Sequence, residues 1–381
     1  MKKQQRGIPI LRLLALLLPL AATGAEANSD FLEQPSKASG HAARSLLLDV
    51  TRAGERLVAV GERGHVLYSD DQGRQWQQAQ TPAIVTLTAV YFPTPEHGWA
   101  VGHDGLVLHS SDGGRRWQKQ LDGFEANRLV RQRLESGIES VQRELATAGP
   151  ERQEDLQQRL EELQFRLEDA EIAVDEGATK PFLDVWFENE REGFIVGAYG
   201  LFFRTEDGGN SWMPWFEHID NAFGYHYNAI TESGSSLLLA GEAGTLYRSR
   251  DAGRSWETLA SPYEGSWFGL TTCTDSDTTL LYGLRGNLYR STDQGESWQK
   301  VPLGDPVTLS GGSCRGNEAV LTSSAGLVFE SLDGGASFRQ SSQDRIPYSA
   351  ASQTDDGRVI LVGLGGARAI PNPTSEAKAK P

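Results

Sequence analysis

Apolar and polar residues alternate along most of this chain in short runs broken by glycine. One such run is Leu87-Thr88-Ala89-Val90-Tyr91-Phe92, followed by Trp99-Ala100-Val101-Gly102-His103-Asp104-Gly105 and then by Leu106 to His109. Period-two alternation punctuated by glycine turns predicts antiparallel β-structure. A fixed turn closes each unit, written in full as Ser110-Ser111-Asp112-Gly113-Gly114-Arg115-Arg116-Trp117, or Ser/Thr-x-Asp-x-Gly-x-x-Trp. It recurs around Asp71, Asp112, Asp207, Asp251, Asp293 and Asp333, with Phe338 replacing the last tryptophan. The intervals between these aspartates are 41, 95, 44, 42 and 40 residues. Self-similarity at a period of about 40–50 residues marks a propeller or a solenoid.

A second signature counts the units independently. Gly-x-x-Gly stands at Gly61/Gly64, Gly102/Gly105, Gly197/Gly200, Gly241/Gly244, Gly283/Gly286 and Gly363/Gly366, with Ser323/Gly326 as a variant, giving seven units. The reading is an all-β fold, a seven-bladed β-propeller of Asp-box repeats over residues 45–370. The seventh unit, Tyr348 to Ile370, ends after its third strand. Open sheet edges invite unwanted pairing, so the lead-in within residues 28–44 is expected to supply the closing strand of the last blade. Residues 371–381 read as a flexible tail.

The 95-residue interval breaks the pattern between blades two and three. Leu134, Ile138, Val141 and Leu145, then Leu156, Leu160, Leu163, Leu167, Ala170 and Val174, recur at spacings of three and four. Thr147-Ala148-Gly149-Pro150 separates the two series with a stop signal and a helix start. An antiparallel helical coiled-coil hairpin is predicted over residues 123–177. Arms of about 24 residues would be about 35 Å long at ~1.5 Å per residue, enough to stand off the ring. The second arm carries ten acids against three arginines, and Gly137 and Phe165 interrupt the charged surface.

The Asp turn has a local explanation. Its carboxylate bonds nearby amides, glycine takes the positive-φ positions and Ser/Thr closes the other side. Six equivalent aspartates spread round a ring cannot converge on one substrate, so they are assigned a structural role. With strands running from the inside of each blade outwards, the Gly-x-x-Gly turns share one face with the connections between blades, and the Asp turns lie on the other. That first face should display Arg63, His103, Tyr199 and Arg285. Consecutive connections on it hold the hairpin, then Trp215, Phe216, Phe223 and Tyr225, then Tyr263 and Trp267. Exposed aromatic clusters mark binding sites, and these residues are the candidate partner-binding set. Tyr227 and Phe268 begin strands and are expected to pack between blades.

Composition narrows the function. A net charge of −15 argues against a nucleic-acid partner. Lys2, Lys3, Arg6 and Arg12 precede the apolar run Leu13 to Ala22 and small residues to Ala27, the plan of a secretory signal peptide over residues 1–27. That run is too short for a membrane span, so an exported, periplasmic chain without a span after cleavage is expected. Cys273 and Cys314 occupy core-facing slots of neighbouring blades; export permits a disulfide, but two buried thiols are the expectation. The seven histidines show no metal spacing, and neither a metal nor a cofactor is expected.

No catalytic residues are assigned. Asp turns on a propeller are similar to those of sialidases, and Arg345-Ile346-Pro347 matches an element of those enzymes, but it follows the last Asp turn where theirs precedes the first. A glycan-acting enzyme or a carbohydrate-binding propeller is the alternative reading. Over most of residues 45–370 the repeat resembles the photosystem II stability/assembly factor family, through units such as Leu87 to Phe92, Gly98 to Gly105 and the Asp turn that follows. The resemblance implies an exported, non-catalytic propeller that assists assembly of a membrane complex. Because family members in non-photosynthetic bacteria are often encoded beside transporters of the resistance-nodulation-division and mycobacterial-lipid type, it also implies a transporter as client. Docking would use the hairpin, residues 124–176, and the aromatic loops. The acidic hairpin departs from the photosynthetic pattern, and the family's arginine patch is not carried over.

Overall fold

The alternating stretches form seven antiparallel sheets in a computed structural model that describes residues 29–274 and 276–371. Sheet 1 comprises Leu47–Ala53, Arg56–Gly61, Val66–Ser69 and Gln77–Gln78, and sheet 2 comprises Leu87–Tyr91, Gly98–Gly102, Val107–Ser110 and Gln118–Leu121. Sheet 3 is built from Phe182–Phe187, Gly193–Gly197, Phe202–Thr205 and Met213–Pro214, and sheet 4 from Tyr227–Ser233, Ser236–Gly241, Leu246–Ser249 and Glu257–Thr258. Trp267–Thr272, Thr279–Gly283, Leu288–Ser291 and Gln299–Lys300 make sheet 5. Leu309–Arg315, Glu318–Ser323, Leu327–Ser331 and Arg339–Gln343 make sheet 6, and Tyr348–Gln353, Arg358–Gly363 and Gly366–Pro371 make sheet 7. The first strand of each sheet packs on the first strand of the next, and that of sheet 7 meets that of sheet 1. The chain is a β-propeller.

The centre of the ring is stitched strand to strand. Every first strand carries a one-residue bulge near its start, at Leu48, Thr88, Leu183, Asn228, Phe268, Ser310 and Ser349. A bulge re-aims a side chain, and in five of the sheets the bulge is followed by a bond to the next sheet. Thr88 Oγ1 donates to the Phe182 carbonyl at 2.7 Å, Asn228 Nδ2 to that of Trp267 at 2.7 Å and Ser310 Oγ to that of Tyr348 at 2.6 Å. Where the bulged residue is leucine, the next residue takes over. Asp49 accepts from Val90 N and Asp184 from Ile230 N, each at 2.8 Å.

The Asp turns have the expected internal bonds. In the second, Ser110 Oγ bonds Asp112 Oδ1 and receives Gly114 N, while Asp112 Oδ1 accepts the Arg115 and Arg116 amides. The structure adds an external bond to each turn, from the preceding sheet or, for Trp215, from the residue directly after that sheet's last strand. Arg358 Nη2 donates to Gln72 O at 2.6 Å, Arg56 Nη1 to Gly113 O at 2.8 Å and Gln120 Nε2 to Gly208 O at 2.8 Å. Trp215 Nε1 donates to Gly253 O at 2.7 Å, Arg248 Nη1 to Gln294 O at 3.2 Å and Arg290 Nε to Gly334 O at 2.8 Å. The turn clamps one sheet to its neighbour as well as closing its own hairpin.

Two sequence expectations are corrected. Residues 29–44 add no strand. They form a short helix, α1 (Ser29–Glu33), and a 3-10 turn at Ala42–Arg44, and sheet 7 has three strands among the described residues. The lead-in runs instead along sheet 1 and over the ring seam. Ser36 N bonds Thr81 O, Ile84 N bonds Phe31 O, Leu32 is buried between sheets 1 and 2, and Ala42 is buried between sheets 7 and 1. Among the described residues no strand pairs with the outer edge of Gly366–Pro371, where exposed Arg368 bonds Asp344; charged edge residues discourage unwanted pairing. Residues 1–28 and 372–381, which hold the expected signal peptide and most of the expected tail, lie outside the described residues. The second correction is that Cys273 and Cys314 form a disulfide, with Cα atoms 4.5 Å apart. Their matching slots lie at the ends of two first strands that pack side by side, which brings them within bridging distance.

Two measurements check these features. Arg248 is buried and bonds Gln294 O, Glu257 and Glu296, whereas neighbouring Arg250 is exposed. Arg248→Ala should lower unfolding free energy by about 2–3 kcal/mol and Arg250→Ala by less than about 0.5 kcal/mol. Equal effects in urea titration would contradict the clamp. Reduction, or Cys273→Ser with Cys314→Ser, releases a link spanning 41 residues and should cost about 3–4 kcal/mol on the loop-entropy account.

Candidate partner-docking cleft

The long interval forms two helices, α2 (Gly123–Leu145) and α3 (Pro150–Glu176). Asp122 caps α2 by accepting Glu125 N, and Pro150 opens α3. They run antiparallel. Asn127 near the start of α2 donates to the Ala173 and Gly177 carbonyls at the end of α3, and Arg152 pairs with Glu144 at the far end. Leu134, Val141, Leu156, Leu160, Leu163 and Ala170 form their buried seam, joined by Ile138, Leu145 and Leu167. The base of the pair is fixed on the ring by close backbone approach. Gly105, at φ 64°, has room only for hydrogen, since a Cβ there would lie 2.5 Å from Gly123 Cα.

The pair leans over the ring. Arg133 on α2 pairs with Glu217, and Arg166 on α3 lies 5.4 Å above the Phe216 ring. Both partners belong to the connection from sheet 3 to sheet 4. Between α3 and that connection opens a cleft of about 1160 Å³. Its floor is apolar, with Val130, Leu134, Leu163, Ala170, Phe203, Ile219 and Tyr227. Its rim holds Phe165, 67 % exposed, Ile172, 56 %, Tyr199, 62 %, and Phe223, 83 %. Apolar exposure of this extent in one place makes the cleft the candidate interaction surface. Lys180 lies 5.6 Å from the Tyr199 ring, and burial holds its ammonium below the usual range against the opposing pull of Glu176 and Asp169.

Most of the exposed large apolar side chains share a face. The Gly turns pack against the connections between sheets, as the contacts of Gly64 with Ala83, Gly200 with Asn221 and Gly244 with Tyr263 record. Phe31, bonded to one connection through Ile84, and Phe124, Phe165, Ile172, Tyr199 and Phe223 all lie on that side. Leu332, in an Asp turn, is an exposed apolar residue of the other face.

The structure sorts the residues singled out from sequence. Phe216, Phe223 and Tyr199 meet at the cleft, and Tyr225 stacks obliquely behind Phe223 at 5.5 Å. Trp215 is engaged elsewhere. Its indole donates to Gly253 O, stacks on His218 at 3.7 Å and lies under Arg204. Trp267 is buried, with Nε1 bonded to Ser261 Oγ, while Tyr263 packs on it half-buried. Here the expectation was inverted: Trp267 is core and Phe268 is 39 % exposed, because the bulge turns Phe268 outward. Arg63, His103 and Arg285 are exposed in separate Gly turns and do not join the cleft. Sequence reasoning missed Ile172 and Lys180. The signal available for Ile172 was its seven-residue spacing from Phe165, off the leucine seam.

Other titratable groups gather elsewhere. Tyr348, Asp344 and Arg368 bond one another, the tyrosine–acid arrangement that a sialidase-like reading requires. Tyr348 is buried, and burial together with Asp344 pushes its phenol up to about 12, away from a nucleophile. Near the ring centre, burial raises Asp49 to about 6 and Asp184 to about 7, with Asp49 adding to the rise at Asp184. Among the described residues no group of three or more His, Cys, Asp or Glu is arranged to hold a metal. No helix among them is long and apolar enough to cross a membrane.

A ring of antiparallel sheets joined by Asp turns defines an Asp-box β-propeller. The chain belongs to the family described as Photosynthesis system II assembly factor YCF48, which matches residues 71–137 and 166–303. It is 29 % identical over 92 residues to the photosystem II stability/assembly factor HCF136 of Oryza sativa, covering 23 % of this chain and 22 % of that one. It is 31 % identical over 77 residues to the photosystem II assembly lipoprotein Ycf48 of Synechococcus, covering 20 % and 23 %. The aligned stretches thus span less than a quarter of these curated relatives. A solved structure described as YCF48 bound to D1 peptide superposes with a TM-score of 0.58 at 15 % identity, covering 86 % of this chain and 93 % of that one. A GH74 enzyme of Niastella koreensis shares the fold with a TM-score of 0.59 at 12 % identity, covering 86 % and 52 %.

The central carboxylates set a pH dependence. Their folded pKa values lie above the ordinary 3.8, so their contribution to stability is present below about 4 and is lost as pH rises through about 6 to 7. The Asp turns act oppositely. At Asp333 burial pushes upward but the Ser337 and Ser331 hydroxyls and turn amides outweigh it, holding it at about 2. Asp207, Asp251 and Asp293 are likewise held low, so their contribution is lost as pH falls. Unfolding free energy should peak in the mildly acidic range and decline toward neutrality, and Asp184→Asn should flatten that decline. Stability rising from pH 5 to 7.5 would contradict this assignment.

Proposed function

We propose that this chain is a non-catalytic, exported accessory or assembly factor for a membrane protein complex. In this reading the seven sheets are seven blades, and the α2–α3 hairpin, with the aromatic connection beside it, is the docking arm. The observation that carries the reading is the apolar cleft between α3 and the connection from sheet 3 to sheet 4, rimmed by Phe165, Ile172, Tyr199 and Phe223. Membership of an assembly-factor family supports the role, and the D1 peptide on one structural relative supports a partner bound through a peptide segment. A periplasmic location and a transporter of the resistance-nodulation-division type as client are the finer parts of the proposal. They rest on the signal-like residues 1–27 and on the family resemblance.

The buried, upward-shifted Tyr348 favours a binding role over a glycosidase. The GH74 likeness, at 12 % identity, bears on the fold alone. The ends of the insertion abut, since a Cβ at Gly123 would lie 2.8 Å from Ala178 Cα, so residues 124–176 can be excised across a short linker. Excision should abolish co-purification of a membrane partner from detergent-solubilised membranes while the ring stays folded by circular dichroism. Phe223→Asp, an exposed substitution, should weaken capture in the full-length chain. Capture that survives excision would contradict the proposal.

A further inference from the structure

The exposed side of α3 carries a second periodic stripe, separate from the leucine seam it shares with α2. Glu162, Asp169 and Glu176 recur every seven residues, and Phe165 and Ile172 recur every seven residues between them. All five line the cleft. A seven-residue repeat of apolar positions keeps one face of a helix turned toward a neighbouring helix. The leucine seam of α3 already has its neighbour in α2. Phe165 and Ile172, more than half exposed, have none.

We propose that the cleft receives a cationic amphipathic helix of a partner protein, packed along α3 as a third helix. This rests on the docking reading above and specifies its occupant. Glu162 to Glu176 spans about 21 Å at ~1.5 Å per residue, four helical turns. The cleft, at about 1160 Å³, is larger than the ~300–1,000 Å³ common for small-molecule pockets. Apolar side chains of the incoming helix would lie between Phe165 and Ile172 on one side and Phe223 on the other, the helix-in-groove mode.

Charge selects the occupant. Asp169, Glu176 and Asp220 line the cleft without an ion pair among the described residues. Three cations line the cleft against five acids, Glu162, Asp169, Glu176, Glu217 and Asp220: Arg159 on α3, Arg166 over Phe216, and Lys180, which lies beside Tyr199 and feels Glu176 and Asp169. Helix α3 as a whole carries ten acids against three arginines. A second copy would set α3 against α3, acid against acid. An anionic lipid surface would meet the same repulsion. Lysines or arginines flanking the apolar positions of a partner helix would satisfy these carboxylates and fix its register.

The test uses the full chain and a synthetic amphipathic peptide of about three heptads with Leu at a and d and Lys at e and g. The lysines also discourage the probe from pairing with itself. Two controls carry the same composition in scrambled order, and Glu in place of Lys. Fluorescence anisotropy should show saturable binding of the Lys peptide, with both controls weaker by about tenfold or more. Phe165→Asp should weaken it by a similar factor, and D169K/E176K should reverse the preference toward the Glu peptide. A scrambled peptide binding equally well, or a preference unmoved by D169K/E176K, overturns the proposal. Membrane-partner capture separates the two levels of inference. Capture lost on excision of 124–176 but undiminished by D169K/E176K overturns the cationic helix and leaves docking standing. Capture that survives excision overturns both.

Discussion

The ring depends on a hydrogen bond that no single repeat contains. Each of the six Asp turns offers a backbone carbonyl to a donor from the preceding repeat, and the donor for the first turn is Arg358 of the last sheet. The turn's own bonds make that possible. Ser or Thr, the aspartate and a positive-φ residue such as Gln72 or Gly113 hold the loop in one shape. A preformed carbonyl costs little ordering entropy to bind. The donors vary from Arg to Gln to Trp, while the acceptor is the residue after the aspartate in five turns and Gly253, two after it, in the fourth, so the acceptor lies within the turn each time.

That arrangement divides the molecule. One face is spent on clamps, with polar turns and few exposed apolar groups. The other holds the Gly turns, the connections between sheets and the insertion, and there Phe31, Phe124, Phe165, Ile172, Tyr199 and Phe223 stand in solvent. The bulges near the ring centre, bonded from one first strand to the next, hold the connections of this second face in place. A rigid ring lets α2 and α3 lean over it and leave a shaped cleft.

Local periodicity made much of this legible. The strands, the Gly turns, the Asp turns and both helices follow from spacings of two, three and four residues together with Gly and Pro punctuation. What depended on distant neighbours was not legible. The closing strand was expected because an open edge is a liability, but the lead-in instead buries Leu32 and Ala42 in the seams between sheets 1 and 2 and between 7 and 1. The cysteine slots were identified, while their approach required knowing how closely first strands converge. At the candidate site, Phe216 and Phe223 were found as an aromatic cluster. Trp267 and Phe268 exchanged roles because one bulge shifts the alternation by a residue. Trp215 looks like a binding aromatic until its indole is seen bonded to Gly253.

The central claim is that partner contact belongs to the face of α3 and the aromatic connection, and that the Asp-turn face is structural. Hydrogen–deuterium exchange on the chain, alone and bound to its co-purified membrane partner, tests it most directly. The account predicts new protection in residues 159–176, 199–203 and 216–227, with the Asp turns at 71–75, 112–116 and 251–255 unchanged. Protection confined to those turns, with the cleft exchanging as freely as before, would contradict it.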